Sequence, residues 1–239
     1  MCNSSGMPEI VLKSMTTQDA QGIWLNGHRD PAWPETSRTL RGFQTLVADW
    51  QAAEVMGWGW VRAVHLYSYD SKTSTVKAQR ALAETSHVIG FVTFHELDES
   101  WTDVLHKAIE CGTYVVPTFR GLGLNRLIKA ASVTFGLTAL GADSILYAVP
   151  VSNHSALRSL KRILGETKAA DKTGTEVTAT EAGAEKANTV LAESRFQKWL
   201  QYREWKEGKS FHLFIIDLES AKACNLLNPD GNHSHLIRE

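Results

Sequence analysis

The chain has 239 residues, 43% of them hydrophobic and 21% charged, with a formal net charge of −1 at pH 7. That balance belongs to an ordinary globular protein and excludes a global basic field for nucleic acid or a polybasic tract for a membrane surface. No apolar run approaches the roughly 20 residues that span a bilayer as a helix, and the opening MCNSSGMPEI lacks both the basic and the apolar part of a signal peptide.

Glu9 to Met15 (EIVLKSM) reads as a first strand. TTQDAQGIWLNG follows as a short helix, with Thr17 or Asp19 available as N-cap and Gly27 as its stop. RDPAWPE is a loop. The next helix carries Leu40, Phe43, Leu46, Val47 and Trp50 at helical spacing and ends at Gly57. WVRAVHLYSY alternates as a strand, DSKTSTVKAQRALAETS is a polar loop, and HVIGFVTFHEL is a second alternating strand. AIECGTYVV forms a further strand leading into VVPTFRGLGLNRLIKAA, the most informative stretch of the chain.

Beyond it, Leu124, Leu127, Ile128, Ala131, Phe135, Thr138 and Ala139 form one apolar stripe, closed by Gly141. SILYAVPV is a strand, and SNHSALRSLKRIL a helix starting near Ser152 or Asn153. From about Glu166 to Asn188 the composition turns to Thr, Ala, Glu and Lys with almost no large apolar residue, which predicts a mobile insertion. A helix from Val190 carries Leu191, Trp199, Tyr202 and Trp205 to Gly208; SFHLFIIDL is a last strand, and a polar tail begins near Asn228. Strands and helices alternate with no second core, so one α/β domain over residues 1–239 is expected. Cys2, Cys111 and Cys224 are far apart and odd in number, which fits a reducing compartment and a cytoplasmic location. Most of the eight tryptophans are expected in the core or in pocket walls.

In FRGLGLNR, two spaced glycines stand between a strand stopped by Pro117 and an amphipathic helix. A Walker loop would need Lys-Ser/Thr after the last glycine, and a dinucleotide fingerprint a third glycine where Arg126 stands. A tight strand-to-helix turn is one remaining reading. The other is an anion site: successive backbone N–H groups at a helix start cradle a pyrophosphate, and glycines remove the Cβ atoms that would block it.

VVPTFRGLGLNRLI resembles the acyl-CoA-binding segment of the GNAT superfamily, the Gcn5-related N-acetyltransferases. Val115 and Val116 end the strand, Phe119 fills the aromatic slot, and Arg120, Gly121 and Gly123 match, while Asn125 replaces the usual Gly or Ala. SILYAVPVSNHSALRSLKRILG resembles the next segment of that family, with Asn153 and Ala156 in place. SHVIGFVTFHELDES, IECGTYVVP and LKSMTTQDAQGIWLN resemble the preceding elements.

The resemblance implies a mixed α/β fold with a central, mostly antiparallel, twisted sheet splayed in the middle and helices on both faces. It implies an N-acyltransferase that moves an acetyl or other acyl group from acetyl-CoA, as co-substrate and without a metal, to a small-molecule or peptide amine; neither nucleic acid nor membrane is a partner. A monomer or homodimer is expected. Val115, Val116, Arg120, Gly121, Leu122, Gly123, Leu124 and Asn125 would hold the coenzyme, a backbone N–H of the Val115 strand would polarise the thioester, and pantetheine would pair in the splayed gap. Asn153 would bond the pantetheine arm; its other reading is a helix N-cap. Glu110 is the implied general base, against a plain surface carboxylate, with His95, Glu96, Asp98, Glu99 and His106 as rivals. The family's tyrosine acid is replaced by Leu160, leaving Tyr147 and Ser155 as nearby candidates or a thiolate that departs unaided. A non-catalytic acyl-CoA-binding domain is the alternative function. His233 and His235 belong to the polar tail rather than to a metal site.

Overall fold

A capping box starts the first helix of the computed structural model, which describes residues 8–33, 37–67, 86–97, 107–164, 196, 198–227 and 237–238. The expected insertion, Asp98, Glu99, His106, His233, His235 and Cys2 lie outside the described residues. Strands β1 (Glu9–Ser14), β2 (Gly59–Tyr67), β3 (His87–Glu96), β4 (Ala108–Val115), β5 (Ser144–Pro150), β6 (Phe211–Asp217) and β7 (Ile237–Arg238) form one sheet in the order β6-β5-β4-β3-β2-β1-β7. Pairing is antiparallel except for β4–β5 and β1–β7. A mostly antiparallel sheet with helices on both faces is the architecture the resemblance implies.

Helix α1 (Thr17–Gly27) is capped by Thr16 rather than by Thr17: the Thr16 hydroxyl accepts from the Asp19 N–H, and the Asp19 carboxylate accepts from the Thr16 N–H. Helix α2 (Leu40–Met56) begins at Thr39 and stops at Gly57, whose φ of 81° is left-handed. On one face of the sheet these helices bury Ile23, Phe43 and Val47 against Val61, Ala63 and Tyr114. On the other, α3 (Asn125–Thr134) lays Leu124, Ile128 and Ala131 over Phe94, Ile109, Cys111 and Tyr147. The expected helix there is partly a π-turn, Phe135–Ala139.

Helix α4 (His154–Ile163) packs Leu157, Leu160 and Ile163 into the same α3-side core. Helix α5 (198–207) follows, with Trp199 and the preceding Phe196 buried against Ala108 and Leu146. A short helix not expected from the sequence, α6 (Leu218–Ala223), is capped by Asp217. Gly90 lets β3 and β4 approach: a Cβ there would lie 2.1 Å from the Tyr114 carbonyl oxygen. Trp33, Trp60 and Trp199 are buried as expected, whereas Trp58 and Trp205 are exposed.

Candidate active site

Strands β4 and β5 pair over three positions only, Ala108 with Ser144, Ile109 with Ile145 and Glu110 with Leu146. Beyond them β4 stays bonded to β3 as far as Val115, and β5 stays bonded to β6 as far as Pro150, but they do not pair with each other. The sheet is therefore splayed between its two middle strands. The Val116 N–H donates to Ile89 of β3 at 2.9 Å, so strand alternation turns the N–H groups of Thr113 and Val115 the other way, into the gap. Open ladder groups of this kind call for a partner. An extended ligand backbone supplies one.

At the open end of the gap, Pro117–Phe119 form a 3₁₀ turn that leads into Arg120, Gly121, Leu122 and Gly123. Gly121 and Gly123 have φ of 77° and 76°, and a Cβ on either would meet no protein atom within 4 Å. The glycines are demanded by backbone conformation, and the space in front of them is open. Helix α3 starts here with no side-chain cap, so its first N–H groups have no capping partner and its positive dipole end faces outwards. That is what an anion cradle requires.

Other predicted coenzyme residues are engaged by the protein. Arg120 donates from Nε to the Val115 carbonyl at 2.8 Å and pairs its guanidinium with Asp30. Asp30 also accepts from the Tyr114 hydroxyl at 2.9 Å and the Ala32 N–H at 3.1 Å. Burial works to raise the Asp30 carboxyl, but bonds from Arg120, Ala32 and Tyr114 hold it below its usual value; Tyr114 is pushed up by burial and by that carboxylate. Arg120 thus fastens the loop to the segment after α1. Leu124 packs into the core while Leu122 is exposed. Val116 is fully buried with its N–H spent on β3. The Asn125 amide donates to the Ser159 hydroxyl and ties the loop helix to α4. Asn153 caps α4, its side-chain oxygen accepting from the Ala156 N–H at 3.2 Å.

On the α2 side of the gap's closed end, Glu110 stands opposite His95 across the β3–β4 ladder. Its carboxylate pairs with Arg203 of α5, which also donates to Glu207 at 2.8 Å and lies over the Trp199 and Phe211 rings. The His95 ring lies 4.1 Å from Trp50 and 6.3 Å from Trp58, centre to centre. Burial, then the positive charge of Arg203, holds the imidazole down to about 4, so it is neutral at pH 7. Glu96 is the next residue along β3, so its side chain leaves from the other face; it pairs with Lys107 at 3.3 Å.

On the α3 side, under the point where the strands part, Tyr147 and Cys111 are buried beside Lys129. Lys129 Nζ donates to the Thr113 hydroxyl at 2.9 Å and sits 3.7 Å from the centre of the Tyr147 ring. Leu160, in the slot of the absent tyrosine, is core, and Ser155 is exposed. Sequence reasoning missed Arg203 and Lys129. Nothing in the sequence marks Arg203, whereas a lysine beside Ile128 on an apolar stripe was a visible signal.

A family model, the GNAT acetyltransferase family, matches residues 42–165, just over half of the chain. The chain belongs to the GNAT family. Acyl transfer is that family's class of activity. Among solved structures, the apo form of FdhC, described as a nucleotide-linked sugar GNAT, matches with TM-score 0.52 at 9% identity over 96% of each chain. RimJ of Mycobacterium smegmatis in complex with CoA-disulfide matches with TM-score 0.50 at 15% identity, over 67% of this chain and 74% of its own. Both likenesses concern the GNAT fold. A spermidine N-acetyltransferase chimera from Vibrio cholerae and hSSAT aligns with TM-score 0.46 at 18% identity, over 64% of this chain and 78% of its own. No curated protein matches the sequence significantly.

Proposed function

We propose that this GNAT protein is an N-acetyltransferase that moves an acetyl group from acetyl-CoA to an amine by direct attack. The observation that carries the reading is the β4–β5 splay, three paired positions and then none, running up to an uncapped glycine turn at the start of α3. Pantetheine fits the gap as an added strand, bonding the Thr113 or Val115 N–H. Pyrophosphate fits the N–H groups of Gly121 to Asn125. The N–H that does not bond the arm is placed to stabilise the developing oxyanion. Asn153 holds its side-chain oxygen on the α4 cap, which leaves the amide N–H₂ as the group offered to the pantetheine arm.

An amine nucleophile must lose its proton, and Glu110 and His95 line the α2 side of the gap's closed end for that purpose. The acceptor is a small-molecule or peptide amine, and the half-buried Trp50 and exposed Trp58 beside His95 wall its approach. The second reading, a non-catalytic acyl-CoA-binding domain, is favoured by one observation: Glu110 is already claimed by Arg203. Turnover separates the two. Calorimetry should show acetyl-CoA binding, and a thiol-release screen over amino acids, polyamines, aminoglycosides and peptide N-termini should find a substrate. Binding without release over that panel would favour the sensor, and no binding would defeat both.

A further inference from the structure

Cys111 and Tyr147 each follow the last paired position, Glu110 with Leu146, so they flank the point at which the two strands separate. Thr113 leaves β4 from the same face as Cys111. Over these three lies Lys129 of α3, only 7% exposed, bonded to Thr113 and set against the face of the Tyr147 ring. The Tyr147 hydroxyl is buried and makes no hydrogen bond of normal geometry, although Cys111 and Ser132 lie beside it. Among the described residues, the groups facing the ammonium are Cys111 and Thr113 from β4 and Tyr147 from β5, none of them a carboxylate, with Ser132 of its own helix beside Cys111 and Tyr147.

We propose that Lys129 is the proton donor to the sulfur of departing coenzyme A, in place of the tyrosine whose slot is filled by Leu160. This rests on the acyl-CoA reading of the splay. A cation buried with no carboxylate partner among the described residues is destabilising, and its presence at this point suits an anion that arrives with the reaction. The thiolate is that anion. A pantetheine arm that pairs along the gap ends its sulfur where β4 and β5 meet, above Cys111 and Tyr147.

The step balances. The amine nitrogen bonds to the thioester carbon, the C–S bond breaks with its electron pair on sulfur, and an N–H of the Lys129 ammonium passes its proton to that sulfur. Neutral Lys129 then regains a proton from solvent, and the proton lost by the acceptor nitrogen leaves on the α2 side. Burial lowers Lys129, against the pull of Cys111, to about 8. That lies close to the roughly 8.5 of an ordinary thiol, the match that suits proton transfer between them. Tyr147 supports the cation with its ring rather than through its hydroxyl.

The first measurement needs no acceptor; the turnover comparison that follows uses an amine found in the thiol-release screen. Coenzyme A is bound to the protein and its thiolate absorbance is followed against pH, with the same protein carrying desulfo-coenzyme A subtracted. A nearby ammonium should bring the bound thiol down by about one unit or more relative to free coenzyme A, and Lys129→Met should remove that shift. A bound thiol that titrates as in solution overturns the proposal, and this wild-type result stands even if Lys129→Met fails to fold. Lys129→Arg separates charge from proton donation: it should keep the thiol shift yet lose turnover by roughly 10²-fold or more. Full turnover in Lys129→Arg overturns the donor role. Calorimetry on the same samples shows whether coenzyme A binds at all, and failure there defeats the acyl-CoA reading and the proposal together.

Discussion

Glu110 sits in a strand whose register brings it opposite His95, and its carboxylate is held by Arg203 from a helix outside the family-matched segment. Glu110→Gln keeps the shape and removes the basicity, so turnover should fall by roughly 10²–10⁴-fold with coenzyme binding intact. A nearly silent Glu110→Gln would shift the base to His95, because Glu96 leaves β3 from the opposite face and pairs with Lys107. Arg203→Ala offers an independent readout. Its charge helps hold His95 at about 4, so its removal should move the His95 titration upward in an NMR pH series. An unmoved His95 would mean that burial alone sets that value. Tyr147→Phe keeps the ring under Lys129 and should cost far less than a lost acid; a large rate loss with unchanged binding would make the Tyr147 hydroxyl the acid instead.

On the proposed function, coenzyme affinity rests on the glycine turn. Gly123→Val meets no protein atom with its Cβ but must adopt a φ of 76° and fill the space in front of the α3 N-terminus. Coenzyme affinity measured by calorimetry should drop tenfold or more while the fold persists; unaltered affinity in a folded variant would remove the phosphate cradle. Gly90→Ala is the contrasting case, because its Cβ collides with backbone and should lower stability by roughly 1–3 kcal/mol or more in a denaturant titration. Most strands were legible because period-two alternation is local, and the turn was legible because left-handed positions demand glycine. The splay came only through the family resemblance, since ladder pairing is a relation between strands distant in sequence. Arg203 was invisible for the same reason, reaching Glu110 from 93 residues downstream. Thr16 was passed over because Thr17, next to it, is an equally good cap by type. Helix α6 is short, and its cap Asp217 reads as the end of a strand.

Across the whole molecule, the carboxylates that tie α1 and the glycine loop in place also set the acid limit of stability. Burial acts to raise Asp19, but hydrogen bonds from His65 and Thr16 hold it lower, as those from Arg120, Ala32 and Tyr114 do for Asp30. Depressed carboxyls contribute fully above their unfolded value of about 3.9 and lose that contribution as pH falls through the lower folded value. His95 acts earlier: the unfolded imidazole takes a proton near 6.5 and the folded one near 4, so stability should already decline between those values. A melting temperature flat from pH 6.5 to 4 would contradict that. Lys129 works in the opposite range, since its folded value of about 8 lies below the unfolded 10.5, and stability gains from it as pH rises between them. Lys129→Met should therefore raise the melting temperature at pH 7. What unites these features is a sheet opened between β4 and β5, the gap that the proposed function fills with an acyl-CoA backbone. Residue-level amide hydrogen exchange with and without acetyl-CoA tests this most directly. Protection should rise at Thr113, Val115 and Gly121 to Asn125 and stay unchanged along β1 and β2; binding that leaves Thr113 and Val115 unprotected would contradict it.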